Sequence, residues 1–432
     1  MIININENDL KARVALNRKR LETGDYYQFD NIFAPDDYDW YADKEGRALL
    51  AFVCHYNMSG EKIPCMDKLM QAMDAHLNSG GYFGPVFSDK IHEQQLSGHS
   101  WLLRGLCNHF MAFGDDYSKA SVQKIVENLF LPLKGRFHTY PINRSGENTG
   151  GVSGSSGLCI GQWILSSDVG CAFMSVDGLS HAYEILKDAR IKDLLEEMID
   201  VYLAIDKVTL KVQTHCTLTA ARGMMRMYRL SGDVRYLDGA DNIWDLYVNG
   251  GGMTMTYQNL NWWGRPDTWT EPCAIVDSLM LSCELYKVRN DEKYRVIAAR
   301  IYHNGLATAQ RPNGGAGTDT IILPEAEHES HTLMYEAFFC CTMRFAEGLE
   351  YITDNCDLLY AQTEGNVAKN GYLFTDGDII YAQVTGLPDD YPAEVSSVDG
   401  YDLMPIVNLW KLTEEQATEV RQKILFDVGG ET

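Results

Sequence analysis

The sequence predicts a mainly α protein, an α/α six-hairpin toroid (barrel) with a short β-containing C-terminal segment. Three observations carry that expectation. Apolar residues recur at helical spacing through most of the chain, short polar turns separate the periodic stretches, and the helix–turn–helix unit returns at a near-regular interval. With 432 residues, 45% hydrophobic and 11% aromatic, the chain also has enough apolar surface for a large core.

Helices are expected over 10–21, 45–56 and 66–77. Leu102, Leu103, Leu106 and Phe110 then recur at helical spacing before the turn Gly114-Asp115-Asp116-Tyr117, and Val122, Ile125, Val126 and Phe130 follow it. The hairpin returns over 178–205 around Lys187-Asp188, over 224–248 around Gly232-Asp233, and over 275–306 around Asn290-Asp291-Glu292. Tyr117, Tyr236 and Tyr294 follow the turns at one and two units of a repeat of roughly sixty residues, which allows about six or seven hairpins. Repeated helix pairs bury their apolar stripes only by stacking on neighbours, so a closed toroid fits, with an open solenoid as the alternative.

Three segments interrupt the pattern. Residues 131–140 read as an extended excursion. The Gly/Ser-rich run 150–157 reads as a flexible linker or a lid; it lacks the lysine of a phosphate-binding loop. The long connection 249–270 carries Tyr257, Trp262, Trp263 and Trp269, and long connections in compact domains are often functional. Beyond Tyr360, strands are expected at 372–374 and 379–384 and a last helix at 413–425. The expected division is an α/α barrel over 1–355 and a short C-terminal segment, 356–432, packing on it.

Lys and Arg total 37 against 60 for Asp and Glu, a net charge of −23 spread along the chain. Such a surface repels phosphate backbones and anionic lipid, which argues against nucleic-acid and membrane partners. The N-terminus has no basic region followed by an apolar run, so a cytoplasmic protein is expected, with room for a homo-oligomer. Eleven cysteines without a leader argue against a disulfide framework and for buried thiols plus a metal site.

Two short stretches stand out, Glu271-Pro272-Cys273 and Cys340-Cys341. Pro272 suits the first position of a helix, which makes Glu271 the cap and leaves Cys273 in the first turn. The doublet precedes Arg344, Phe345, Gly348, Leu349 and Ile352, a helical run, so it too lies near a helix start, where the dipole favours thiolate. Three sulfurs and a carboxylate suit tetrahedral zinc, whereas calcium or magnesium would want oxygen throughout. Spacing alone leaves chance burial of core cysteines as an equal alternative.

These pieces, with Gly251-Gly252 ahead of the first and Gly98-His99 upstream, resemble the β-L-arabinofuranosidase family of glycoside hydrolases, family 127 and its relatives, over roughly 40–355. The resemblance implies an α/α barrel catalytic domain, a small carbohydrate substrate, and zinc held by Glu271, Cys273, Cys340 and Cys341. It further implies that Cys340 is a nucleophile forming a thioglycosyl intermediate, with retention of configuration after two displacements. It places sugar contacts at His99 and at Gln213, with His215 two residues on.

Two departures accompany the resemblance. The family's acid/base glutamate has no counterpart between Gly252 and Thr270, where Asp267 is the sole carboxylate and is nominated instead. Asp168 and Asp177 are secondary candidates, Trp262 and Trp263 are nominated as apolar walls, and Glu325, Glu327, His328, Glu329 and His331 lie close enough in sequence to line the site. The chain is also short for the β-sandwich that follows the barrel in the family. The rival readings are a zinc-thiolate enzyme of the lanthionine-cyclase kind and a non-catalytic zinc-stabilised carbohydrate-binding protein.

Overall fold

The computed structural model describes residues 2–3, 5, 7–34, 39–142, 155–254, 257–265, 267–321, 330–362, 371–376, 379–384, 394–395 and 409–416. Contacts divide the chain into two compact units. One comprises Met1–Leu21, Val248–Asn261 and Pro266–Thr432, the other Glu22–Tyr247 and Trp262–Arg265. In chain order β1 (Ile2–Ile3) and α1 (Glu7–Thr23) open the first of these units, and the chain then builds most of the second.

The second unit holds α2 (Phe29–Ile32), α3 (Asp43–Ser59), α4 (Cys65–Ala72), α5 (Glu93–Phe113), α6 (Asp116–Ile125), α7 (Ser175–Leu186), α8 (Ala189–Ala204), α9 (Thr214–Ser231) and α10 (Val234–Asn249). The turns form as their residues dictate. Gly114 takes a left-handed φ of 65° and closes α5 through its N–H on Phe110 O, and the Asp115 carboxylate then accepts the Ser118 N–H to start α6. Lys187 and Asp188 do the same between α7 and α8.

Helices α3, α5, α7 and α9 pack in succession, with α6 on α5 and α8 on α7. Missing side chains permit this contact: a Cβ on Gly46 would lie 2.2 Å from Leu102 N, and one on Gly223 would lie 2.6 Å from Val176 O. A buried ion cluster fixes the register. Asp177 on α7 pairs with Arg104 on α5 and, at 2.5 Å, with Arg226 Nη1 on α9. Asp177 is thereby a structural carboxylate, which removes it from the candidate acids. A three-stranded sheet of β2 (Ile91–His92), β4 (Trp163–Ser166) and β3 (Ser155–Ile160) completes the unit, in the order β2-β4-β3, with β2 parallel and β3 antiparallel to β4.

Two expectations need correction here. Residues 155–157, read as loop, begin β3, while 150–154 lie outside the described residues. Residues 131–140 are not extended but form two 3-10 turns, Leu131–Leu133 and Phe137–Thr139. Pro132 starts the first, and Phe137 and Tyr140 turn inward onto Trp163 and Phe173.

The first unit continues with α11 (Pro272–Arg289), α12 (Glu292–Arg300), α13 (Ala307–Ala309), β5 (Thr318–Ile321), β6 (Ser330–Met334) and α14 (Cys341–Asn355). Helix α11 packs on both α12 and α14, and β5 pairs antiparallel with β6. Then come β7 (Ala361–Gln362), β8 (Gly371–Asp376), β9 (Ile379–Val384), β10 (Glu394–Val395) and β11 (Leu409–Leu412). Strand β7 pairs with β1, and the rest form an antiparallel sheet in the order β10-β11-β9-β8, as the strand patterns at 372–374 and 379–384 predict. Of the helix expected at 413–425, residues 414–416 are helical and 417–425 lie outside the described residues. Among the described residues no helix is long and apolar enough to cross a membrane.

The close approach at Gly46 gives a direct check on this packing. Gly46→Ala should destabilise the protein by about 1–3 kcal/mol, because the added methyl meets backbone that cannot move aside. Urea unfolding measures it, and an unchanged midpoint would refute the α3–α5 contact.

Candidate metal centre

The centre is assembled from two helix starts. Glu271 is the N-cap of α11, extended at φ −132° and ψ 109°, Pro272 occupies the first helical position and Cys273 follows. The Glu271 C=O accepts the Ala274 and Ile275 amides at 2.9 and 3.2 Å, which begins the helix. Unlike Asp115, Asp188 and Asp291, which cap α6, α8 and α12 with their carboxylates, Glu271 makes no side-chain cap bond. Its carboxylate is directed elsewhere. Cys340 caps α14 and Cys341 is its first residue.

These helix starts bring Glu271, Cys273, Cys340 and Cys341 together, one ligand atom from each, all within 4.8 Å of one another. Cys273 Sγ lies 3.6 Å from Cys341 Sγ, which lies 3.3 Å from Cys340 Sγ. A disulfide would need about 2.05 Å, whereas two thiolates on one tetrahedral zinc stand about 3.8 Å apart for Zn–S bonds of about 2.3 Å. All eleven cysteines are free thiols. The donor set therefore fits zinc. Hydrogen bonding to Cys273 and Cys341, with burial, raises the Cys340 pKa, and burial, with hydrogen bonding to Cys273, raises that of Cys341. A bound cation reverses that balance by stabilising thiolate.

The backbone around the centre is fixed by neighbours far away in sequence. The Glu271 N–H donates to Asn259 Oδ1 at 2.7 Å, and Thr270 before it pairs with Asp319 on β5, N–H to carbonyl at 2.8 Å. Asp319 is itself buried and paired with Arg311 at 2.7 Å. The Ala337 carbonyl accepts from the amides of Cys340, Cys341 and Thr342. One turn below the ligands, Arg344 on α14 is ion-paired with Asp277 on α11 and with Glu347, and all three side chains are buried. Sequence reasoning missed Asn259, Asp319 and Asp277, since nothing local to them signals a partner so distant along the chain.

The remaining nominated residues are not among the four clustered donors. Asp267 is exposed, and it is not one of the clustered ligands. His99 is fully buried: its Nδ1 donates to Gln95 O at 2.7 Å, its Nε2 accepts the Phe83 N–H at 3.0 Å, and burial pushes its pKa down to about 4. It is a satisfied core histidine, with neither ring nitrogen turned to a ligand. Gln213 precedes α9, and its Oε1 accepts from the Cys216 thiol; His215 is buried and stacks on Trp101. Trp262 and Trp263 are fully buried with their indole N–H groups on Ser167 O and Thr217 Oγ1, so they are core residues and not exposed walls. Glu325, Glu327, His328 and Glu329 lie outside the described residues, as does the side chain of His331.

The ligand segments fall inside a recognisable family signature. Residues 181–354 match the family model of the β-L-arabinofuranosidase GH127 catalytic domain. The expected resemblance is thus borne out over 181–354, a segment similar to the GH127 catalytic domain. Among solved structures, a GH127 β-arabinofuranosidase aligns at 14% identity and a TM-score of 0.53, over 90% of this chain and 66% of that one. The chain thus spans just under two thirds of that structure's length. A heparin-specific unsaturated glucuronyl hydrolase aligns at 13% identity and a TM-score of 0.55, over 82% of this chain and 100% of its own. A cellobiose 2-epimerase from Bacillus thermoamylovorans aligns at 12% and 0.53, over 81% and 98%. At these identities the likenesses show the fold, and they bear out the α/α toroid class. No curated protein matches the sequence.

The ion cluster beneath the ligands yields a stability test. Asp277→Ala leaves Arg344 buried beside a single carboxylate and should cost about 3–5 kcal/mol. Thermal or urea unfolding reads the loss, and a change below about 1 kcal/mol would mean the pair is not buried as described.

Proposed function

We propose that the protein is a zinc-dependent retaining glycoside hydrolase in which Glu271, Cys273, Cys340 and Cys341 hold the metal and Cys340 is the nucleophile. One observation carries the reading. Three thiols and a carboxylate converge at two helix starts, and among the thiols Cys340 keeps 9% of its surface exposed while Cys273 and Cys341 keep none. Of the three residues, Cys340 is the one with surface left to meet a sugar.

Zinc, when bound, supplies the positive charge that keeps the sulfurs ionised at neutral pH. The Cys340 sulfur then attacks the anomeric carbon, the bond to the glycosidic oxygen breaks, and a protonated acid delivers its proton to the leaving alcohol. Water, deprotonated by the same group, displaces the sulfur in the second step, and two inversions give retention. Asp267, exposed in the connection before α11, is the proposed acid/base. The proposed catalytic barrel spans 1–355, with 356–432 as a short C-terminal segment. The proposed substrate is a small carbohydrate with a terminal pentofuranose, such as β-L-arabinofuranose or a related plant-polysaccharide sugar.

Elemental analysis should find about one zinc per chain, and the wild type should release aryl alcohol from an aryl β-L-arabinofuranoside or a sister glycoside. Cys340→Ser should abolish turnover and leave the fold intact, while Asp267→Asn should slow alkyl glycosides more than activated aryl ones. A protein without metal, or a fully active Cys340→Ser, would overturn the assignment. Zinc without turnover of any aryl glycoside would favour a carbohydrate-binding protein.

A further inference from the structure

We infer that the N-terminal helix α1 is a strut for the metal centre, with Asn17 a positioning residue for the Cys340-Cys341 doublet. The inference rests on the zinc reading above and extends it to a helix outside the segment matched to the family.

Asn17 is fully buried, and its Nδ2 donates to two carbonyls, Thr342 O and Gly314 O, each at 3.1 Å. Thr342 directly follows Cys341. Its hydroxyl donates to Glu336 Oε1 at 3.0 Å and accepts the Ala316 N–H at 3.0 Å. The Glu336 carboxylate in turn takes Arg20 Nη2 at 2.7 Å and Asn313 Nδ2 at 2.8 Å. Helix α1 thus reaches the first turn of α14 by two routes, directly through Asn17 and through Arg20, Glu336 and Thr342.

The approach is also close in backbone terms. Gly314 sits at φ +87°, and a Cβ there would lie 2.2 Å from Leu16 O on α1. Farther along α1, Arg13 Nη1 donates to Ala307 O at 2.8 Å and Gln310 Nε2 donates to Arg13 O at 3.0 Å. These bonds tie one face of α1 to the segment 307–316 and to Thr342. Metal ligand distances tolerate deviations of about 0.2 Å, so the tilt of the first turn of α14 decides whether both sulfurs reach one ion. Asn17 fixes that turn without touching the metal.

The test is zinc release from the full-length, zinc-loaded protein into a colorimetric chelator. Asn17→Leu keeps the bulk and removes both donors; Arg20→Ala cuts the second route at a partly exposed residue. Each should release zinc about 10-fold faster or more, as loss of an outer-shell partner does. After cobalt substitution, each should also shift the thiolate-to-cobalt charge-transfer band. Ile199→Ala, a core truncation in α8, serves as comparator, because it should lower the melting temperature and leave zinc release at the wild-type rate. Wild-type release rates in both variants, or rates matched by Ile199→Ala at equal loss of stability, overturn the inference while leaving the zinc reading standing. A wild type that binds no zinc removes both.

Discussion

Three sulfurs and a carboxylate held within 4.8 Å of one another are the constraint on which the unit that contains them depends. Such a cluster is unfavourable on its own. Ionised, the four groups repel one another; protonated, they leave polar atoms crowded in an apolar setting. A divalent cation resolves the conflict, and the binding free energy it returns can be spent on ordering the segments that supply the ligands. The chain meets the geometric side of this demand by starting two helices at one point. The exposed ends of their backbone dipoles then add to the field that favours anionic sulfur.

Helix starts are useful for this purpose only if the helices cannot rock, and buried charge holds them. Asp277 and Arg344 lie one turn beyond Cys273 and Cys340, so their ion pair ties α11 to α14 close to the ligands. The other unit uses the same device at Asp177, which joins α5, α7 and α9 through Arg104 and Arg226. Apolar side chains would stabilise such contacts at least as well, but they tolerate sliding. A buried ion pair penalises any register that separates its partners, and that asymmetry suits helices whose ends must meet at a defined point.

The parts legible in the sequence are those governed by local rules. Helical periodicity located the hairpins, Gly114-Asp115 and Lys187-Asp188 marked the turns, and Pro272 fixed where α11 begins, because each effect acts within a few residues. The parts that escaped depend on distant partners. Tryptophans in a long connection could face a ligand or a core, and only the carbonyl of Ser167 and the hydroxyl of Thr217 decide for Trp262 and Trp263. Residues 131–140 carry a pattern that suits a strand, but Phe137 and Tyr140 have aromatic partners on other elements and the backbone coils to reach them. Helix α1 reads as unremarkably polar because the residues it buries include Arg13 and Asn17, whose partners lie some three hundred positions away.

The connection before α11 shows why the donor cluster and the proposed acid differ in legibility. Its interior is committed to structure: Asn259 takes the Glu271 amide, Thr268 Oγ1 takes the Asn261 amide, and Trp262 and Trp263 are core. A segment so occupied holds its neighbour Glu271 firmly, which is what a metal ligand needs. Its one carboxylate, Asp267, is exposed. The three sulfurs, by contrast, each sit at a helix start, where local rules already place them.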